Sequence, residues 1–136
     1  MLYKLIKVNI FNVKNTLSFL FLLVFTSFSH NLHADDSFFS GIEAYRDRDY
    51  DSAIFFFTQA AKSGDGEAQF LPGKIYSEGL GVNIDNIKSL MWFTIADINN
   101  IRVAERYGSR LKIKMSDNDI EYAINQANDW IKFTLK

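Results

Sequence analysis

The sequence predicts an all-α protein: a short right-handed α-solenoid of about three antiparallel helical hairpins. Three observations predict it. From Asp35 onward, apolar residues recur at three- and four-residue steps in segments of about 10 to 15 residues, the spacing of one buried helix face. No stretch alternates apolar and polar residues as a half-buried strand would. The chain also repeats on itself at a shift of 36 residues, so that Ala53 falls on Ser89, Phe56 on Trp92, Ala60 on Ala96, Gly64 on Asn100 and Ala68 on Ala104. Small residues recur where helices must approach closely, and aromatics recur where they fill the space between. That pattern marks stacked helical pairs, none of which buries its apolar face alone.

Taken in order, residues 1–34 are expected to be a cleavable secretory signal peptide. Lys4, Lys7 and Lys14 are the only charges there, and they precede an apolar run from Leu17 to Phe28, a short polar stretch and Ala34. That 12-residue run is shorter than the roughly 20 apolar residues a bilayer span needs, so an uncleaved anchor is the lesser alternative, and a membrane is expected as a partner only through this segment if it stays uncleaved. With no cysteine there is no lipid-attachment site. Cleavage after Ala34 leaves 102 of the 136 residues, and the loss of three lysines takes the net charge from −1 to −4. The expected location is the periplasm or the outside of the cell.

The remainder, 35–136, reads as one helical repeat domain with six helices, near 37–46, 50–63, 67–78, 86–98, 101–114 and 117–134. Gly64, Gly66, the run Gly79-Leu80-Gly81 and the pair Asn99-Asn100 supply the breaks. Ser116 followed three residues later by Asp119 resembles a capping box for the last helix, whose acidic first turn suits the helix dipole. Tyr45 to Ala53 spans 8 steps and Tyr76 to Ser89 spans 13, so the second hairpin has the longer connection and uses glycines for backbone freedom.

Composition narrows the function. The chain is 48% hydrophobic and 23% charged with 15 basic against 16 acidic residues, which excludes a disordered tail, a multi-pass membrane protein and a strongly basic nucleic-acid binder. His30 and His33, the only histidines, leave with the signal segment. The mature chain then has neither histidine nor cysteine for a Ser-His-Asp or Cys-His nucleophile, a thiolate site or a typical zinc site. A two-carboxylate hydrolase is chemically open, but needs a deep cleft that a short helical chain seldom has. No enzyme, cofactor or metal is expected. The runs Asp47-x-Asp49-x-Asp51 and Asp117-x-Asp119-x-Glu121 have Thr58 and Asn128 where a calcium loop requires glutamate, so they read as a turn and a helix start.

The segment from Gly66 to Ala96, GEAQFLPGKIYSEGLGVNIDNIKSLMWFTIA, resembles a Sel1-like repeat. The family pattern runs from an Ala-Gln start through a Leu-Gly-x-x-Tyr helix and a Gly-x-Gly-Val loop to Asp, Lys-Ala, Trp and a closing Ala pair. Ala68, Gln69, Gly73, Tyr76, Gly79, Gly81, Val82, Asp85, Lys88, Trp92 and Ala96 match it in order. The stretch before it is similar to a truncated tetratricopeptide-like hairpin, and the end from Ala104 to Trp130 resembles the closing helices of such proteins. The resemblance implies a protein-binding scaffold or adaptor of the bacterial cell envelope. Secreted, host-directed relatives supply an alternative, and β-lactam-binding or hydrolysing relatives a weaker one, since those are stapled by disulfides that this chain lacks.

Two positions depart from that pattern. Ser89 stands for alanine, a mild change, and Pro72 stands for leucine inside a helix, at a cost of about 3 kcal/mol or more. Either the third helix starts near Leu71, with proline in its tolerant first turn, or it is kinked; Pro72→Leu is expected to raise the melting temperature.

Arg102, Arg106, Arg110 and Lys114, spaced by four, form a drifting basic stripe on the fifth helix. The 36-residue shift aligns Phe70 with Arg106 and Lys74 with Arg110, and Glu78 lies one turn beyond Lys74. These seven residues form the candidate protein-binding face, for a protein or peptide partner with acidic groups. The plainer reading is a solvated face balanced by acids such as Asp97 or Glu105. Phe55-Phe56-Phe57 cannot all point one way on a helix, so at least one is expected at the surface or against a neighbouring hairpin, where it could support weak self-association.

Overall fold

A computed structural model describes residues 36–134; the expected signal peptide lies outside the described residues. Those residues form α1 (36–46), α2 (Tyr50–Lys62), α3 (Gly66–Glu78), α4 (Asn86–Ile98), α5 (Arg102–Lys112) and α6 (Asp117–Thr134), with no strand among them. No described helix is long and apolar enough to cross a membrane.

Local chemistry explains the bounds. Asp49, Asp65 and Asp85 precede α2, α3 and α4, and each carboxylate accepts from the backbone N–H three residues on, at 3.2, 2.9 and 2.9 Å. Each therefore satisfies a donor that the first helical turn leaves orphaned. The expected capping pair at α6 forms as well: the Asp119 N–H donates to Ser116 Oγ at 3.2 Å, and that hydroxyl donates to the Asp119 carboxylate at 2.8 Å. Gly64 and Asn100, 36 residues apart, both take left-handed backbone, with φ of 91° and 66°. The sequence repeat is thus also a repeat of turn geometry.

The core repeats in the same register. Ala53 and Ser89, Ala60 and Ala96, and Ala68 and Ala104 are all buried. Phe57 and Phe93, also 36 apart, are fully buried, and each lies on a glycine of the preceding helix. A Cβ at Gly41 would stand 2.6 Å from the Phe57 ring, and one at Gly73 would stand 2.7 Å from the Phe93 ring. The absence of a side chain is what lets α1 approach α2, and α3 approach α4, at this level. Ser89 is accommodated because its hydroxyl donates to the Gly73 carbonyl at 2.8 Å, so the buried oxygen is satisfied.

Pro72 does not delay the third helix. α3 begins at Gly66, capped by Asp65, and runs unbroken through a buried Pro72. The late start near Leu71 is therefore corrected: the cap lies upstream, and burial of Ala68, Gln69, Gly73 and Ile75 holds the helix on both sides of a ring that cannot donate to the Ala68 carbonyl.

One side chain ties the layers together. Gln69 is fully buried; its Nε2 donates to the Ala61 carbonyl at 3.2 Å, and its Oε1 accepts from Asn99 Nδ2 at 2.7 Å. It thereby joins α3 to the C-terminal ends of both α2 and α4. α3 packs between α2 and α4, and α4 packs in turn on α5 and α6; α5 and α6 do not pack on each other to a comparable extent.

Candidate protein-binding face

α5 divides sharply by polarity. Ala104 and Gly108 are buried against α4, with Tyr107 and Leu111 partly buried in the same cluster, while Arg102, Arg106 and Arg110 are exposed. Lys114 is also exposed, but lies in the turn beyond Lys112, where α5 ends. Among the described residues the ion pairs are Lys74 with Glu78 at 3.6 Å and Lys88 with Asp85 at 3.3 Å. Within that set the arginines are unpaired, and no ion pair joins them to Asp97 or Glu105.

The residues expected on α3 behave differently. Lys74 and Glu78 neutralise each other one turn apart. Phe70 is half-buried, with its ring edge-on to Tyr107 at 5.3 Å and tilted against Phe93 at 5.4 Å, so it joins α3 to α4 and α5. Its remaining surface lines a groove of about 330 Å³ across three helices. Phe38 and Ile42 come from α1, Glu67, Phe70 and Leu71 from α3, and Ile101 and Val103 from the start of α5. Sequence reasoning singled out only Phe70 of these. The signal for the rest was weak, an i,i+4 apolar pair in α1 and two apolar residues flanking Arg102, none unusual until the helices are assembled.

A second hollow, of about 440 Å³, lies between Tyr76, Asp85, Lys88, Met91 and Trp92 on one side and Tyr122 and Gln126 of α6 on the other. The Lys88 ammonium stands 5.1 Å above the Tyr76 ring and is held by Asp85, while Trp92 meets Trp130 edge-on at 5.4 Å. Most of the residues carrying the resemblance thus have structural work: Asp85 caps α4, Lys88 covers Tyr76, Gln69 ties helix ends, and Gly73 admits Phe93.

The remaining candidates fall into place simply. Phe57 is core, Phe56 half-buried, and Phe55 is 58% exposed with its ring edge-on to Phe56 at 5.4 Å. In the first acidic run, Asp49 serves as the α2 cap; hydrogen bonds from Ser52, its hydroxyl first and its backbone N–H second, hold the Asp49 carboxyl below the usual carboxylate value. In the second, Asp119 belongs to the α6 cap.

Comparison of the chain with protein-family models and with curated proteins gives no match. The functional reading therefore rests on the residues and their geometry.

Proposed function

We propose that this protein is an exported, Sel1-like right-handed solenoid of about three antiparallel hairpins that binds another protein in the cell envelope or outside the cell, without catalysis. The signal-like composition of residues 1–34 and the eleven ordered matches from Ala68 to Ala96 support the export and family parts of the reading. The observation that carries the binding part is the row of exposed arginines, unpaired among the described residues, on a helix whose Val103 lines an apolar groove. An apolar groove adjoined by a helix that carries exposed arginines suits a polypeptide with an apolar anchor and acidic groups.

The test expresses the chain with its own N-terminal segment and uses the purified product as bait in an envelope extract. A folded Arg106→Glu/Arg110→Glu variant, checked by circular dichroism, runs beside it. The expected result is a captured protein that the variant loses, with an intact mass corresponding to cleavage after Ala34. Equal capture by both would return the arginines to a solvated face. Capture by neither, with self-association in sedimentation, would replace the adaptor reading with self-assembly.

A further inference from the structure

Resting on that reading, we infer that the groove across α1, α3 and α5 takes a short segment of a partner protein in which a large apolar anchor is followed by acidic residues, and that Arg106 and Arg110, rather than Arg102, receive the acids. The groove supplies the anchor site: Phe38, Ile42, Leu71 and Val103 are apolar side chains on three separate helices around about 330 Å³ of open space. Space of this size with mostly apolar lining suits one or two large side chains.

Helix geometry assigns the charges. At 3.6 residues per turn, Arg110 stands about 20° and Arg106 about 60° around α5 from Val103, while Arg102 stands about 100° away. Arg106 is also the i+3 neighbour of Val103, and Arg110 that of Tyr107, whose ring meets groove-lining Phe70. The stripe drifts, and on a regular helix its middle and C-terminal members fall on the side of Val103, whereas Arg102 turns away from it. Glu67 is the charged residue that lines the groove, three residues before Phe70; Arg106 and Arg110 do not line it but lie farther along α5 past Val103, so the basic end of the site lies beyond the apolar lining. Lys74 adds little to that basic end because Glu78 already holds it. With no acid partner for the arginines among the described residues, charge complementarity selects an acidic flank on the occupant.

The test measures fluorescence anisotropy with the full chain and three labelled peptides, each a Leu-Phe pair followed by three Glu, three Gln or three Lys. The glutamate peptide should bind best, about tenfold tighter than the glutamine one, weakening as salt is raised. Arg106→Glu/Arg110→Glu should abolish that preference, while Arg102→Glu should change affinity less than about threefold. Val103→Trp, at a position 36% exposed and therefore tolerant, should block the groove and weaken all three peptides. Equal binding of the lysine peptide, indifference to Val103→Trp, or no binding of any peptide at millimolar concentration would overturn the inference. Failure here with arginine-dependent capture intact would leave the adaptor reading standing. Peptide binding through groove and arginines without envelope capture would remove the adaptor reading and keep the site.

Discussion

Two glycines on helices that both pack against α4 should respond to the same substitution with opposite signs. In Gly73→Ala the new Cβ would lie 2.7 Å from two atoms of the Phe93 ring, about 1 Å inside the optimal carbon–carbon separation. Phe93 cannot retreat: it is 1% exposed, and Phe70 and Tyr107 each stand 5.4 Å from it, ring to ring. Overpacking of this kind costs about 1–3 kcal/mol, and the rigid surroundings place it in the upper part of that range. Alanine returns about 1 kcal/mol of helix propensity, so the net loss is about 1–2 kcal/mol. In Gly108→Ala the new Cβ would meet Leu90 at 3.5 Å and Phe93 at 3.8 Å, ordinary contact, beside a hollow of about 40 Å³ where α4 meets α5. Its φ is not positive, so the propensity gain of about 1 kcal/mol is realised in full. The two variants should differ by about 2–3 kcal/mol in urea unfolding, and by about 10–20 °C in thermal unfolding followed at 222 nm, for a domain near 100 residues. Adding Phe93→Leu to Gly73→Ala should recover part of the loss, because the smaller side chain vacates the contact. Equal stabilities for the two glycine variants, or a stabilising Gly73→Ala, would show that α3 and α4 do not approach as described and would refute the argument.

Other substitutions test the caps, the interior bonds and the proline. Gln69→Leu keeps the bulk but removes the bonds to Ala61 and Asn99, and should cost about 1–3 kcal/mol in urea unfolding. Pro72→Ala should raise stability by about 1 kcal/mol, the helix gain of about 3 kcal/mol being offset by two lost buried carbons at about 0.8 kcal/mol each and a small cavity; it is a cleaner probe than Pro72→Leu, which would also enlarge a buried side chain. The Asp49 carboxyl is held below its unfolded value of 3.8, so its contribution is present above that pH and lost as pH falls through the lower folded value. Asp49→Ala should therefore destabilise at pH 7 and draw level with the parent as pH falls below 3.8 through the lower folded value, read from melting temperatures across that range.

Legibility of the helices in the sequence was high because their ends are local events. A single aspartate decides where each of α2, α3 and α4 starts, and left-handed Gly64 and Asn100 end two of them, so the expected bounds lie within two residues of the observed ones. The 36-residue shift found the buried small residues for the same reason that it found the turns: equivalent positions do equivalent work. It did not reveal that Phe57 and Phe93 rest on Gly41 and Gly73, because those contacts join helices across connections of unequal length. Nor did it separate the late start from the continuous helix at Pro72, since both satisfy the local preference of proline and only burial around Gln69 and Gly73 decides between them.

The face of α5 was harder to read, and the reason is tertiary. A third hairpin like the second would lay α6 closely along α5, bringing the acids of α6 toward the arginines; instead α5 and α6 both pack on α4. Asp119 is engaged with Ser116, and the arginines have no ion-pair partner among the described residues. That alone decides little, because an exposed guanidinium in water gains only about 0–1 kcal/mol from pairing. What distinguishes Arg106 and Arg110 is the company of Val103 and Tyr107, which set them beside an apolar groove built from three helices. A carboxylate delivered there on an anchored chain meets an exposed guanidinium already close at hand, so the pair forms without the further cost of bringing two free groups together. The weight therefore moves from the regular spacing of four basic residues to the two that the groove adjoins, and the double charge reversal, set against Arg102→Glu, separates those alternatives.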